Sequence, residues 1–168
     1  MVARWNEWLG ERVTASRAVP TAVVERQFSL MLDVFATLMG PLRRETKPIW
    51  ARVTEHYGRV AAARGLAAGE VVEEMQYLRE LLIRYLAPAI AALRPRQGMA
   101  LLLRLNRLVD KGVALAVVGY TDELVAGSLR ANGGDDAEAR PFDPGTVGEE
   151  LDSIGRDLAM VTGTPGRG

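Results

Sequence analysis

Helix-period hydrophobic spacing, cut at intervals by proline and glycine, limits this chain to one fold class. Apolar residues recur three and four apart along most of the sequence, and no alternating strand pattern runs long enough to compete. Ala, Leu, Arg and Glu, all good helix formers, are abundant. The expectation is an all-α fold: an antiparallel bundle of four to five helices, globin-like or four-helix-bundle-like, with a flexible C-terminal tail. At 168 residues the chain is long enough for one domain with a real core.

The punctuation places the helices. A first runs from about Val2 to Ala18, and Pro20 marks the break after it, able to sit in the first turn of the next helix. That second helix carries Val23, Val24, Phe28, Met31, Leu32, Phe35 and Leu38 and ends at Gly40-Pro41. A third segment, Pro41 to Arg64, is expected to bend or break near Pro48 and to stop at Gly65. The fourth, from about Ala67 to Leu93, holds Glu70, Glu73 and Glu74 in its first turns, where carboxylates favour the helix dipole. Val71, Met75, Leu78, Leu82 and Tyr85 line one of its faces, and Pro88 is expected to kink its end. After the turn Arg94 to Gly98, the fifth helix runs from about Met99 to Arg130.

Along that last helix Leu101, Leu105, Leu108, Gly112, Leu115 and Gly119 repeat at heptad-like spacing. Two glycines inside a helix cost about 1 kcal/mol each against alanine. A close helix–helix approach would offset that, so Gly112, Ala116 and Gly119 mark a packing seam, either within the bundle or between two copies in a homodimer. From Ala131 the character changes. Residues 1–131 read as the bundle and 132–145 as a flexible linker. Residues 146–160 read as a short amphipathic helix with Val147, Leu151, Ile154 and Leu158 on one face. Residues 161–168 read as a disordered end.

Composition excludes several functions. Lys plus Arg number 21 and Asp plus Glu 21, which argues against a nucleic-acid footprint. With no cysteine and one histidine, neither a disulfide framework nor a protein-built metal site is expected. Met1 to Glu11 carries Arg4, Glu7 and Glu11 and lacks the apolar core of a signal peptide. The longest apolar stretch, Gly112 to Tyr120, falls well short of the ~20 residues a membrane span needs. A soluble, cytoplasmic protein without membrane contact is the expectation.

Chemistry-bearing motifs are scarce. There is no phosphate-cradling glycine loop, no HExxH and no GxSxG. The pairs Glu73-Glu74 and Glu149-Glu150 read as solvated helix faces rather than acid–base couples. No enzyme is expected. His56, on a stripe with Ile49, Val53, Val60 and Ala63, reads as a core or boundary residue; the alternative is a pH-sensing group or axial haem ligand. Trp5 and Trp8 share a helix face, and with Trp50 they are candidates for packing or for a partner surface. No cofactor is expected, with haem at His56 as the exception to test.

The middle of the chain resembles a family. Trp50, Glu55-His56-Tyr57, Arg64-Gly65-Leu66, Glu70 to Glu74 and Leu78 to Leu82 are similar to the N-terminal domain of the RsbT co-antagonist regulators of the stressosome, a module also found upstream of sensor histidine kinases. Leu105 to Gly112, running on to Tyr120, resembles the helix that closes that domain. The resemblance covers roughly residues 5–128 and implies a sensory or scaffolding input domain, often dimeric. It makes His56, Arg64, Arg79, Arg107 and Asp110 the matching polar positions. Arg79 and Asp110 are expected to pair between two long helices and fix their register. Neither an STAS domain nor a kinase follows Ala131. Glu150 to Leu158 resembles the start of a kinase phosphoacceptor helix, but Arg156 stands where the histidine would be and cannot accept a phosphoryl group. The reading is therefore a non-catalytic signalling or adaptor domain acting through a protein partner, in bacterial-type signal transduction. Its alternative is a small-ligand sensor with an inter-helix pocket near His56.

Overall fold

A computed structural model describes residues 19–132 and 144–163. Among them are five helices and no strand: α1 (Thr21–Met39), α2 (Arg43–Ala63), α3 (Ala68–Ala91), α4 (Pro95–Asn132) and α5 (Pro144–Thr162). The chain is an all-α helical bundle. The expected helix from Val2 to Ala18 lies outside the described residues. No helix among the described residues is long and apolar enough to cross a membrane.

The breaks follow local chemistry. Pro20 stands just ahead of α1, and its carbonyl accepts from Val23 N–H at 3.0 Å. Gly65, at φ 78°, closes α2. Gly65 N–H donates to the Ala62 carbonyl and Leu66 N–H to that of Ala61, a paired closure that suits a residue without a side chain. The Glu70 carboxylate reaches back to Ala67 N–H at 2.7 Å and holds the start of α3.

Neither internal proline breaks its helix. Pro48 lies inside an unbroken α2, and Pro88 inside α3. Each removes one backbone donor, but both sit on solvent-facing positions near a helix end. Water can satisfy the carbonyls they leave open, so the helix continues. The expected turn at Arg94 to Gly98 is instead the first turn of α4, because Pro95 suits the first helical position, where no N–H is needed. Pro144 starts α5 in the same way, so that helix begins inside the expected linker and runs past residue 160.

Helix α2 is the centre of the molecule. It packs against all four other helices, most extensively against α4. The core fills around Phe28, Met31, Leu38, Trp50, Met75, Leu78 and Leu105, all at most 2% exposed. Phe35 meets Trp50 edge to face with ring centroids 5.9 Å apart. Trp50 also donates to the Leu108 carbonyl at 3.2 Å, and Tyr120 to that of Leu66 at 2.8 Å. Arg104 donates to the Leu38 carbonyl at 2.7 Å, satisfying one of the open acceptors at the end of α1. Tyr85 shares the face of Val71 and Met75 but is 71% exposed, because no residue of α3 after Leu82 is buried.

The α2–α4 crossing is a backbone contact. A Cβ on Gly58 would lie 1.8 Å from the Ala116 carbonyl oxygen, and one on Gly119 would lie 2.0 Å from that of Glu55. Gly112 faces the Trp50 ring, 2.8 Å from where its own Cβ would be. The seam of Gly112, Ala116 and Gly119 therefore packs inside one chain; it is not a dimer surface.

A buried polar cluster ties the end of α2 to α3. Arg64 grips Glu74 with two hydrogen bonds of 3.0 and 2.9 Å, and the Tyr57 hydroxyl donates to the same carboxylate. Burial, reinforced by the Glu74 charge, pushes the Tyr57 hydroxyl pKa well above its ordinary value. Burial works against the Arg64 charge, but the Glu74 carboxylate outweighs it and raises the guanidinium pKa. Glu74 is thus not part of a solvated face; that expectation is corrected by a side chain only 4% exposed.

Gly119→Ala should cost about 3 kcal/mol or more, since backbone rather than a flexible side chain must give way. Gly69→Ala, where an added Cβ meets nothing within 4 Å, should change little; urea midpoints measure both. Glu74→Ala, by leaving Arg64 buried and unpaired, should cost about 3–5 kcal/mol. Replacing Arg64 and Glu74 together with Met should recover most of that loss in the same assay.

Candidate functional site

The last helix lies in a groove between α1 and α2. Its apolar face is the stripe read from the sequence: Val147, Leu151, Ile154 and Leu158 are at most 9% exposed. Spacings of four, three and four put them on one side of a helix. Burying four such side chains contributes on the order of 6–10 kcal/mol before the entropy of ordering the helix is subtracted.

Charges border the stripe. Arg59 on α2 holds Glu150 at 2.7 Å. Arg26 on α1 pairs with Asp152, and Arg52 on α2 pairs with Asp157 while also reaching the Ser153 hydroxyl at 3.3 Å. Bundle arginines thus face α5 carboxylates along both edges of the groove. Every one of these side chains is a third to a half exposed. Pairs of that kind contribute at most about 1 kcal/mol each. They orient α5, and the apolar stripe holds it.

His56 sits beneath this border. It is 1% exposed, and its Nε2 lies 3.3 Å from a Glu150 carboxylate oxygen. Neither ring nitrogen has a partner at good hydrogen-bonding geometry. Burial lowers its pKa from 6.5 to about 4. Glu150 and the Val147 backbone oppose that shift, and the Arg59 charge assists it. His56 is therefore neutral at pH 7 and enclosed by α5. The side of the ring an axial haem ligand would turn to the iron is taken by Glu150. Gln27, on α1, is likewise fully buried with neither side-chain polar atom paired.

The remaining candidates are scattered. Trp50 is 2% exposed within the core and offers no partner surface. Trp5 and Trp8 lie outside the described residues. Arg79 and Asp110 do meet between α3 and α4, at a half-solvated edge with side-chain exposures of 22% and 61%. Arg107 is exposed on α4, away from the groove. Of the Glu149-Glu150 pair, Glu149 faces solvent and Glu150 joins the arginine border. Arg52, Glu55, Arg59, Glu150, Ser153 and Ile154 line an open cleft alongside α5. Its charged walls suit a polar or acidic group, not a large apolar cofactor. Sequence reasoning missed Arg26, Arg52 and Arg59 because their carboxylate partners lie about a hundred residues or more away along the chain.

Compared with known proteins, the chain matches no family model, no curated protein and no solved structure.

The geometry predicts a proton-sensitive contact. An undocked α5 returns His56 toward its ordinary 6.5, whereas the docked state holds it at about 4. The docked state thus binds fewer protons between those values, so docking is at full strength above pH 6.5 and weakens as pH falls toward 4. Because the chain has one histidine, its Hε1 resonance reports the titration without ambiguity, and the Ile154 methyl signal reports docking. The Ile154 shift should move between pH 6.5 and 4.5, and His56→Gln should flatten it. A His56 midpoint of 6.5 with a constant Ile154 signal would contradict the reading.

Proposed function

We propose that the chain is a non-catalytic signalling or adaptor domain in bacterial-type signal transduction, acting by protein–protein interaction. In this reading α5 is a tethered helix held in the α1–α2 groove until a partner competes for it. One observation carries the reading: α5 is a self-contained amphipathic helix docked by a single apolar stripe and an edge of half-exposed ion pairs. A core helix is gripped on several sides and locked by buried polar groups, as α2 and α3 are by Arg64 and Glu74. α5 is gripped on one side.

Tethering matters for the energetics. A short linker presents its helix at an effective concentration in the millimolar range. A modest intrinsic affinity then keeps the groove closed, yet leaves it open to a stronger competitor. The partner chemistry follows from the groove: an amphipathic helix with aliphatic residues at four-three-four spacing and carboxylates on both flanks. The resemblance of residues 5–128 to stressosome input domains supports a role in signal relay.

The full-length chain carrying Leu151→Asp and Ile154→Asp should keep its bundle but lose α5 docking. A labelled peptide of residues 144–163 should bind that variant at least tenfold more tightly than it binds the natural chain, read by fluorescence anisotropy. If the peptide binds neither chain while circular dichroism shows an intact bundle, the groove is not a receptor site.

A further inference from the structure

No acidic residue occurs between Glu80 and Asp110, by far the longest acid-free run in the chain. Both bracketing acids are held by arginines, Glu80 by Arg84 and Asp110 by Arg79. Between them lie the second half of α3, the turn that follows it and the first part of α4. Over residues 85–103 the only charges are Arg94 and Arg96. Both are exposed and unpaired among the described residues.

This stretch leaves the bundle. Helices α2 and α4 run side by side in the same direction, with Trp50 against Leu108 and Gly112 and with Gly58 against Ala116. The start of α2 is then level with Leu103, and α4 begins about eight residues, or about 12 Å, further out. Helix α3 accompanies it, with Ile90 against Gly98. Arg104 still reaches the end of α1. Among residues 84–104 only Gly98 is buried. The hairpin therefore projects as a two-helix arm with Leu93, Arg94 and Arg96 at its apex.

An arm that met only water should be polar on its outer side. Tyr85, Met99 and Leu103 are 71%, 58% and 50% exposed, and Leu93 in the turn is 40% exposed. Behind the apex, the start of α2 adds Arg43, Arg44 and Lys47 against one acid, Glu45, all exposed. The far end of the bundle, where Tyr120 reaches Leu66, has the opposite character. Glu70, Asp122 and Glu149 are exposed there. The described arginines of that end are already paired, Arg26 with Asp152, Arg59 with Glu150 and Arg64 with Glu74. The zero net charge is thus the sum of two unlike ends, and such a field turns the arm toward an anionic surface. A nucleic acid would be met by a basic groove with stacking platforms. This end is convex and leads with leucine and methionine between arginines. That combination fits a lipid surface, which takes apolar side chains at its acyl boundary and arginines at its phosphates.

We propose that the α3–α4 hairpin is a docking arm that seats its apex in the headgroup layer of an anionic bilayer. Leu93 and Met99 enter the acyl boundary, Arg94 and Arg96 hold lipid phosphates, and Tyr85 suits the headgroup level. The contact is separate from α5 docking, which uses the groove of α1 and α2. A zero net charge and the lack of a spanning helix, the two grounds for expecting no membrane contact, do not bear on a shallow dock of this kind.

The test is sedimentation of the full chain with vesicles of phosphatidylcholine alone or with about a third phosphatidylglycerol. The chain should bind the anionic vesicles about tenfold more tightly or better, and about 0.5 M salt should remove most of that gain. Arg94→Glu with Arg96→Glu should weaken binding by about tenfold or more. Leu93→Ser with Met99→Ser should weaken it by about tenfold while leaving the salt dependence. Circular dichroism should show unchanged helicity in both variants, since all four side chains are exposed. Because the chain has no cysteine, Leu93→Cys can carry an environment-sensitive dye at one known place. Its emission should shift to the blue on anionic vesicles, whereas the same dye at Ser128→Cys, on the far half of α4, should not respond.

Three results overturn the proposal. One is no binding to anionic vesicles at low salt. Another is binding that survives both double substitutions, which places the contact elsewhere in the chain. The third is release of the bound chain by duplex DNA at equal phosphate concentration, which makes the arm a nucleic-acid contact instead.

Discussion

Backbone touches backbone where α2 crosses α4, and the rest of the bundle is arranged around that contact. Gly58 and Gly119 bring the helices close enough that either missing Cβ would overlap a carbonyl of the opposite helix. At this spacing the Trp50 indole reaches the Leu108 carbonyl and the Tyr120 hydroxyl that of Leu66. Were the helices held further apart by side chains, these hydrogen bonds would open, leaving buried polar groups without partners. The cost of glycine in a helix is offset by the packing and hydrogen bonds that the close approach allows.

Much of the fold was legible because helix boundaries are written in local chemistry. Pro20 and Gly65 act through their own dihedral preferences. At Pro48 and Pro88 the helix continues, for one reason. Proline interrupts a helix when the carbonyl it orphans is buried, and the sequence does not show which way that carbonyl faces. The apolar stripe of α5 was also legible, since helical spacing alone defines it. Its charged border was not. Arg26 and Arg52 read as ordinary surface residues until the groove brings them to Asp152 and Asp157. Glu74 was misread for a related reason: a carboxylate in the first turns of a helix favours the dipole whether or not it is exposed, and only the packing of α2 on α3 shows that Arg64 lies over it.

The two kinds of polar contact in the molecule serve opposite ends. Arg64, Glu74 and Tyr57 are fully enclosed and mutually satisfied, so separating α2 from α3 would strand a charge. The pairs around α5 are open to water, and separating them strands nothing. His56 goes further: beneath the docked α5 it is buried, and neither of its nitrogens has a well-formed hydrogen bond.

Glu55 belongs to two worlds at once. Its carbonyl presses against Gly119 of α4, while the residue also lines the cleft beside α5. One turn on, Gly58 repeats the α4 contact and Arg59 holds α5. The two faces of α2 are therefore rungs of a single stiff rod with no slack between them. A roll of α2 that loosens its grip on α5 must also drive its backbone into, or away from, that of α4.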